Sequence, residues 1–165
     1  MNTKNSDVLL TDSQISEFVL NGFSEIKSGL DIATLIHFHS INKFLLMAHN
    51  HAYTTILGNI VANHDHFPDS VVYEKYEQNL ASVLKFEPSI KSHVNVLQKI
   101  LGYFKKELTK EEKATILEML SRYQKETETL NDILLSLEEL TRKFQKTYLV
   151  RQTYFLLYAR VSKSG

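Results

Sequence analysis

A chain of 165 residues has the length of one globular domain, and 19 basic against 19 acidic side chains leave it without net charge at neutral pH. With 43% apolar and 23% charged residues it is composed like a folded soluble protein, and a count of zero cysteines removes disulfide scaffolds, iron–sulfur clusters, thiolate zinc sites and cysteine nucleophiles. Only 5 glycines and 2 prolines punctuate it, too few for the turns of a sandwich or barrel. The expected fold class is therefore all-α, a single-domain bundle of six or seven helices with a buried central helix. No secretory leader pattern opens the chain and no apolar run of about 18 or more residues occurs, so a cytoplasmic protein with no membrane contact is expected.

Residues 1–10 are polar and aperiodic and are expected to be a flexible N-terminus, as are residues 161–165 at the other end, leaving a helical domain over 11–160. Thr11 and Gln14 form a capping-box pattern ahead of Ile15, Val19, Phe23 and Ile26 at helical spacing, with Gly29 as the expected stop. The next run, about 31–48, is apolar on more than one face, which predicts the buried central helix. Asn50 can cap a third helix, and a fourth begins at Asp69 or Ser70 and stops before Pro88. Ser89 opens a fifth whose stripe Val94, Leu97, Leu101, Phe104, Leu108 predicts an unbroken helix. Thr109 with Glu112 starts a sixth, a seventh begins near Asn131, and the apolar, aromatic tail 148–157 should dock on the bundle.

Neutrality hides an uneven distribution, since residues 1–98 carry 6 basic and 10 acidic side chains whereas 141–165 carry 6 basic and none acidic. Arg142, Lys143, Lys146, Arg151, Arg160 and Lys163 could thus form a phosphate-binding strip or a merely solvated face.

Seven histidines are the compositional oddity, six of them in the pairs His37/His39, His49/His51 and His64/His66. Helical neighbours two apart point about 200° away from each other, so His37 and His39 cannot chelate one ion. The other pairs lack a carboxylate ligand set, and no metal or cofactor is expected.

His39 and Lys43 lie four apart on one helical face. A lysine in apolar surroundings must be paired, reach water or lose its proton, so the pair should line a semi-buried pocket. There His39 could exchange protons and Lys43 could hold an anion. Asn95, Gln98, Gly102 and Lys105 make a polar stripe beside the apolar one, with amides suited to nucleobases and a cation suited to phosphate. The plain alternative is an amphipathic helix whose glycine permits close packing. No GxSxG, Walker or GxGxxG pattern occurs.

The strings His39-Ser40-x-x-Lys43-x-Leu45-Leu46-Met47-Ala48-His49 and His93-Val94-Asn95-Val96-Leu97-Gln98-x-x-x-Gly102-Tyr103-Phe104-Lys105 resemble the two signature blocks of the YbgA family, a bacterial domain of unknown function. A third block, Tyr148-Leu149-x-Arg151-Gln152-x-Tyr154, resembles that family's C-terminal motif, and the likeness spans about residues 35–156. Relatives of that kind occur alone, sometimes encoded beside DNA photolyases, or fused behind a cysteine-rich domain similar to thiouracil desulfidases. The resemblance therefore implies a nucleic-acid or nucleotide accessory module with a nucleobase-processing or DNA-repair protein as partner. It marks His39, Lys43, His49, His93, Asn95, Gln98, Lys105, Arg151 and Gln152 as candidate ligand-binding positions, and leaves His37, His51, His64 and His66 as surface residues. Lys99 stands where such relatives often carry histidine, and Phe155 to Tyr158 replaces a proline-containing ending. Sulfur chemistry is not expected of this chain.

Three readings follow from these residues. The leading one is nucleic-acid or nucleotide binding between the central and fifth helices, where His39 and Lys43 would face Asn95, Gln98 and Lys105. The second is an enzyme using His39 or His93 with Lys43 in acid–base chemistry. The third is a structural or interaction domain whose polar residues form a buried network.

Overall fold

The structure, a computed structural model, describes residues 9–159, and all regular elements within them are helices. Six of the helix starts among these residues follow from a side chain that satisfies otherwise orphaned backbone N–H groups. Thr11 and Gln14 close a capping box on α1 (Asp12–Lys27), and Asp31 accepts from the Thr34 amide at the head of α2 (Ile32–His49). Asn50 both ends α2 and caps α3 (His51–Ala62), turning the chain in one extended residue. After α4 (Asp69–Val83), which follows Pro68, capping boxes at Ser89 and Thr109 open α5 (Ile90–Gly102) and α6 (Lys110–Gln124), and Thr129 caps α7 (Leu130–Lys143). Two short helices complete the described residues, α8 (Thr147–Val150) and α9 (Thr153–Tyr158).

Nine helices among the described residues replace the six or seven expected, because the apolar tail folds as two short pieces parted at Arg151 and Gln152. α2 packs on α1, α3, α4, α5 and α9. Its second half, Phe44 to His49, is buried on every side, whereas Ile36 nearer its start is 47% exposed, so burial does not run the length of the helix.

Gly29 directly follows the Ser28 C-cap of α1, as a stop should, but the left-handed turn residue is Leu30, at φ 49°, rather than the glycine. Two further expectations are corrected. α5 stops at Gly102, so Phe104 and Leu108 reach the core from the turn leading to the Thr109 cap rather than from one unbroken helix. A glycine at the last helical position and the need to turn into that capping box outweigh the apolar periodicity. Lys105 consequently leaves the helical register that carries Asn95 and Gln98. The expected flexible ends fall mainly on residues 1–8 and 160–165, outside the described residues, as do Arg160 and Lys163.

Two ring clusters consolidate the interior. Phe23, Phe38, Tyr73 and Tyr76 meet at centroid separations of 5.8–6.1 Å, and His93 packs with Tyr154 and Tyr158 at 5.8 and 5.1 Å. Such edge and offset contacts add to the burial of the rings themselves.

Candidate functional site

A cleft of about 450 Å³ opens between α2, α3 and the end of α5. α2 contributes His39, Lys43, Phe44 and Met47, α3 contributes a polar or small face at His51, Thr54, Thr55, Gly58 and Asn59, and Lys99 and Tyr103 close the third side. None of these lining residues is acidic, and neither Lys43 nor Lys99 has an ion-pair partner among the described residues. Both lysines are exposed, so their ammonium groups, without counter-charge, give the cleft a positive field that salt screens. Phe44 and Tyr103 meet edge to face at 6.0 Å, and Tyr148 stacks behind Tyr103, so one wall is aromatic.

His39 is buried, and its Nδ1 lies 2.9 Å from the Tyr76 hydroxyl. That hydroxyl is itself enclosed and has no other partner among the described residues, so its proton goes to Nδ1. The ring is thereby held in the tautomer that carries its N–H on Nε2. A Cβ placed at Gly58 would sit 3.5 Å from that atom, which puts Nε2 at the cleft wall beside a residue with no side chain. Burial, aided by the Lys43 charge, lowers the His39 pKa to about 4, so the imidazole is neutral at pH 7 and acts as a donor.

A second cleft, of about 550 Å³, adjoins the first and shares Met47, His51 and Lys99 with it. His49, Asn50, Ser92, Asn95, Val96 and Gln98 line the remainder. His49 Nδ1 donates to the Phe86 carbonyl at 2.8 Å, which leaves Nε2 as a bare acceptor. This nitrogen is the one buried side-chain polar atom without a hydrogen-bond partner among the described residues. Burial lowers the His49 pKa, against opposing pulls from the Phe86 carbonyl and Asp12, and so favours the neutral ring.

The remaining candidates separate from these clefts. His93 is buried on α5 with Nδ1 2.7 Å from the Tyr154 hydroxyl, and burial, with the neighbouring His49, lowers its pKa to about 4. Gln152 is fully buried, and its amide spans two groups of α2, accepting from the Phe44 N–H at 3.3 Å and donating to the Ser40 carbonyl at 2.7 Å. Thr153 beside it donates to Asn42 Oδ1 at 2.7 Å, so this corner fastens α9 to α2. Lys105 lines a third groove of about 230 Å³ with Gln98 and Gly102, and Arg151 is exposed and lines none of the three. Nothing lies within 4 Å of a Cβ built at Gly102, so that glycine permits no close helix packing.

The described part of the basic strip is largely matched by carboxylates. Lys143 pairs with Glu112 at 3.0 Å, Lys146 with Glu107 at 2.8 Å and Arg142 with Glu138 at 3.6 Å. His37, His51, His64 and His66 are all exposed, yet His51 lines both clefts. Among the described residues no group of three or more His, Cys, Asp or Glu gathers as a metal site.

Sequence reasoning passed over the α3 face. Its signal was present, since 51, 54, 55 and 58 follow helical offsets of three and four with polar or small residues throughout. Lys99, a cation that could extend the basic strip, instead closes the first cleft.

A family model described as "Protein of unknown function (DUF1722)" matches residues 43–159. The uncharacterized protein YbgA of Escherichia coli (strain K12) is 25% identical over 146 residues, covering 87% of this chain and 86% of that protein. No solved structure matches the chain. The matched stretch contains Lys43, the whole of α3 and α5 and the α9 corner, and begins just after His39.

Proposed function

The chain belongs to the family described as a protein of unknown function (DUF1722), so its activity has to be read from its clefts, and we propose that it binds a nucleotide, free or as a unit of a nucleic acid, with the phosphate in the cleft between α2, α3 and α5. The observation that carries this reading is a cleft holding two lysines without counter-charge, a fixed neutral imidazole N–H and an aromatic wall, with no acidic lining residue. Ammonium and imidazole N–H groups suit phosphate oxygens, and Tyr103, which is 41% exposed, offers its ring to a sugar. The cleft volume of about 450 Å³ lies in the range of small-molecule sites.

The acid–base alternative has less support. His39 and His93 bond different tyrosines on different helices, and both are held neutral by burial, so neither stands ready as a proton donor at pH 7. The structural reading has specific support for His93, whose Nδ1 meets the Tyr154 hydroxyl inside the fold, and for Gln152, whose amide is engaged through both its oxygen and its nitrogen. Those two candidates are better understood as holding α5 and α2 against α9.

Titration with AMP, CMP, a short RNA and a short single-stranded DNA at several salt concentrations tests the proposal. Saturable binding that weakens with salt is expected, with Lys43→Ala and Lys99→Ala each weakening it by about fivefold or more. A free nucleotide as ligand would leave Lys105→Ala and Arg151→Ala without effect, whereas a nucleic acid reaching past the clefts would register them. Absence of binding at low salt, or binding indifferent to both cleft lysines, would overturn the reading.

A further inference from the structure

His49 is engaged at one ring nitrogen and unmatched at the other. Its Nδ1 proton is committed to the Phe86 carbonyl, its Nε2 lone pair is buried without a partner, and its ring lines the second cleft. A buried acceptor is ordinarily matched, so this one asks for a donor from outside the chain. The groups around it are similarly unengaged. Asn95 and Gln98 are exposed, and neither side-chain amide makes a hydrogen bond to the described residues. Each amide offers one acceptor and two donors. Lys99 and His51 belong to both clefts, so a ligand anchored by its anionic end in the first cleft extends naturally into the second.

The wall chemistry of the two clefts differs in kind. Toward the first, the oriented groups are donors, namely the ammonium groups and His39 Nε2–H. Toward the second, the chain presents the neutral amides of Asn95 and Gln98, beside His49 with its covered, unmatched ring nitrogen. Paired amides read the hydrogen-bonding edge of a base, where an exocyclic amine stands beside a ring acceptor. A ring nitrogen lacking its proton accepts from that amine and opposes the lone pairs of a carbonyl in the same place.

We propose that the second cleft is the base-recognition subsite of the ligand whose phosphate the first cleft holds, and that it selects a base with an exocyclic amino group, which donates to His49 Nε2 while Asn95 and Gln98 read the neighbouring edge. The proposal rests on the nucleotide reading above. Nε2 is covered at the cleft wall, so the amine reaches it only as the wall gives. Met47, shared by both clefts, is unbranched and re-seats readily as it does so.

The test compares matched pairs of ligands on the full chain by calorimetry: AMP against IMP, and CMP against UMP, in which a carbonyl replaces the amine. The amino member of each pair should bind about tenfold tighter or better. His49→Phe, which keeps a ring and removes both nitrogens, should bring the ratio close to one while binding stays dependent on Lys43. Since His49 is buried, the exposed double variant Asn95→Ala/Gln98→Ala supplies an independent route and should also shrink the ratio. Equal affinities within each pair, with Lys43 and Lys99 still required, would overturn this inference and leave the phosphate site standing. Loss of all nucleotide binding would overturn both. An ordered water on His49 Nε2 that persists in a liganded crystal would likewise overturn the proposed contact.

Discussion

Acidification from pH 7 to pH 5 should destabilise the fold through His39 and His93, well above the range where carboxylates titrate. Each ring is buried with Nδ1 on a tyrosine hydroxyl, and each has its pKa lowered from 6.5 to about 4. Between those values the unfolded chain takes up protons that the folded chain refuses, so unfolding becomes easier as pH falls. The stabilisation is complete above about pH 6.5, declines through the window and levels off below about pH 4. Integrated from pH 7 to pH 5, the linkage amounts to about 2 kcal/mol for each histidine and about 4 kcal/mol for both. His49, shifted in the same direction, adds to it. Against a total of about 5–15 kcal/mol for a domain, that loss is large. Urea unfolding at constant ionic strength should show the midpoint falling with an unchanged slope, and the ring resonances of His39 and His93 should stay on their neutral positions down to pH 5. Equal midpoints at the two pH values, or ring signals that titrate near neutrality, would refute the reasoning.

Three further outcomes are expected. Gly58→Ala adds a Cβ at an ordinary contact distance of 3.5 Å from His39 Nε2, so it should raise stability by about 1 kcal/mol, or about 2–4 °C in Tm, while covering the imidazole donor and weakening nucleotide binding; a loss of stability would show that the wall is tighter than the geometry indicates. Gln152→Ala strips the Phe44 N–H and the Ser40 carbonyl of their shared partner and leaves a void, at a cost of about 2–4 kcal/mol in denaturant unfolding, and a change below about 0.5 kcal/mol would contradict the proposed fastening role. Lys146→Ala removes a cation already matched by Glu107, so nucleotide affinity and its salt dependence should not move; a reduced salt slope would restore the basic strip as a phosphate contact.

Helix starts were the most legible part of the fold, because a cap is a local transaction between a side chain and backbone three residues away. Thr11, Asn50, Ser89 and Thr109 each cap the helix expected of them. Helix ends were less legible. The apolar rhythm through Leu101, Phe104 and Leu108 continues across the stop at Gly102, since a turn can deliver side chains to the core at nearly helical intervals. For the same reason Lys105 looked aligned with Asn95 and Gln98, and it lines a neighbouring groove instead.

The candidate site was legible in composition and not in arrangement. Local spacing placed His39 and Lys43 on one face, and they do line one cleft. The partners that define the histidines are remote in sequence: Tyr76 lies 37 residues from His39, and Tyr154 lies 61 residues from His93. Gln152 carries a polar amide that spacing treats as free for a ligand, yet it reaches across 112 residues to the Ser40 carbonyl. What the residues determine by themselves is an all-helical chain with its caps and a local store of amides, imidazoles and lysines, since propensity, capping and periodicity act over a few residues. Which imidazole is locked as a donor, which is left as an unmatched acceptor, and which lysines lack a counter-charge depend on contacts between distant segments, so only the packing of α2 against α3, α4, α5 and α9 decided them.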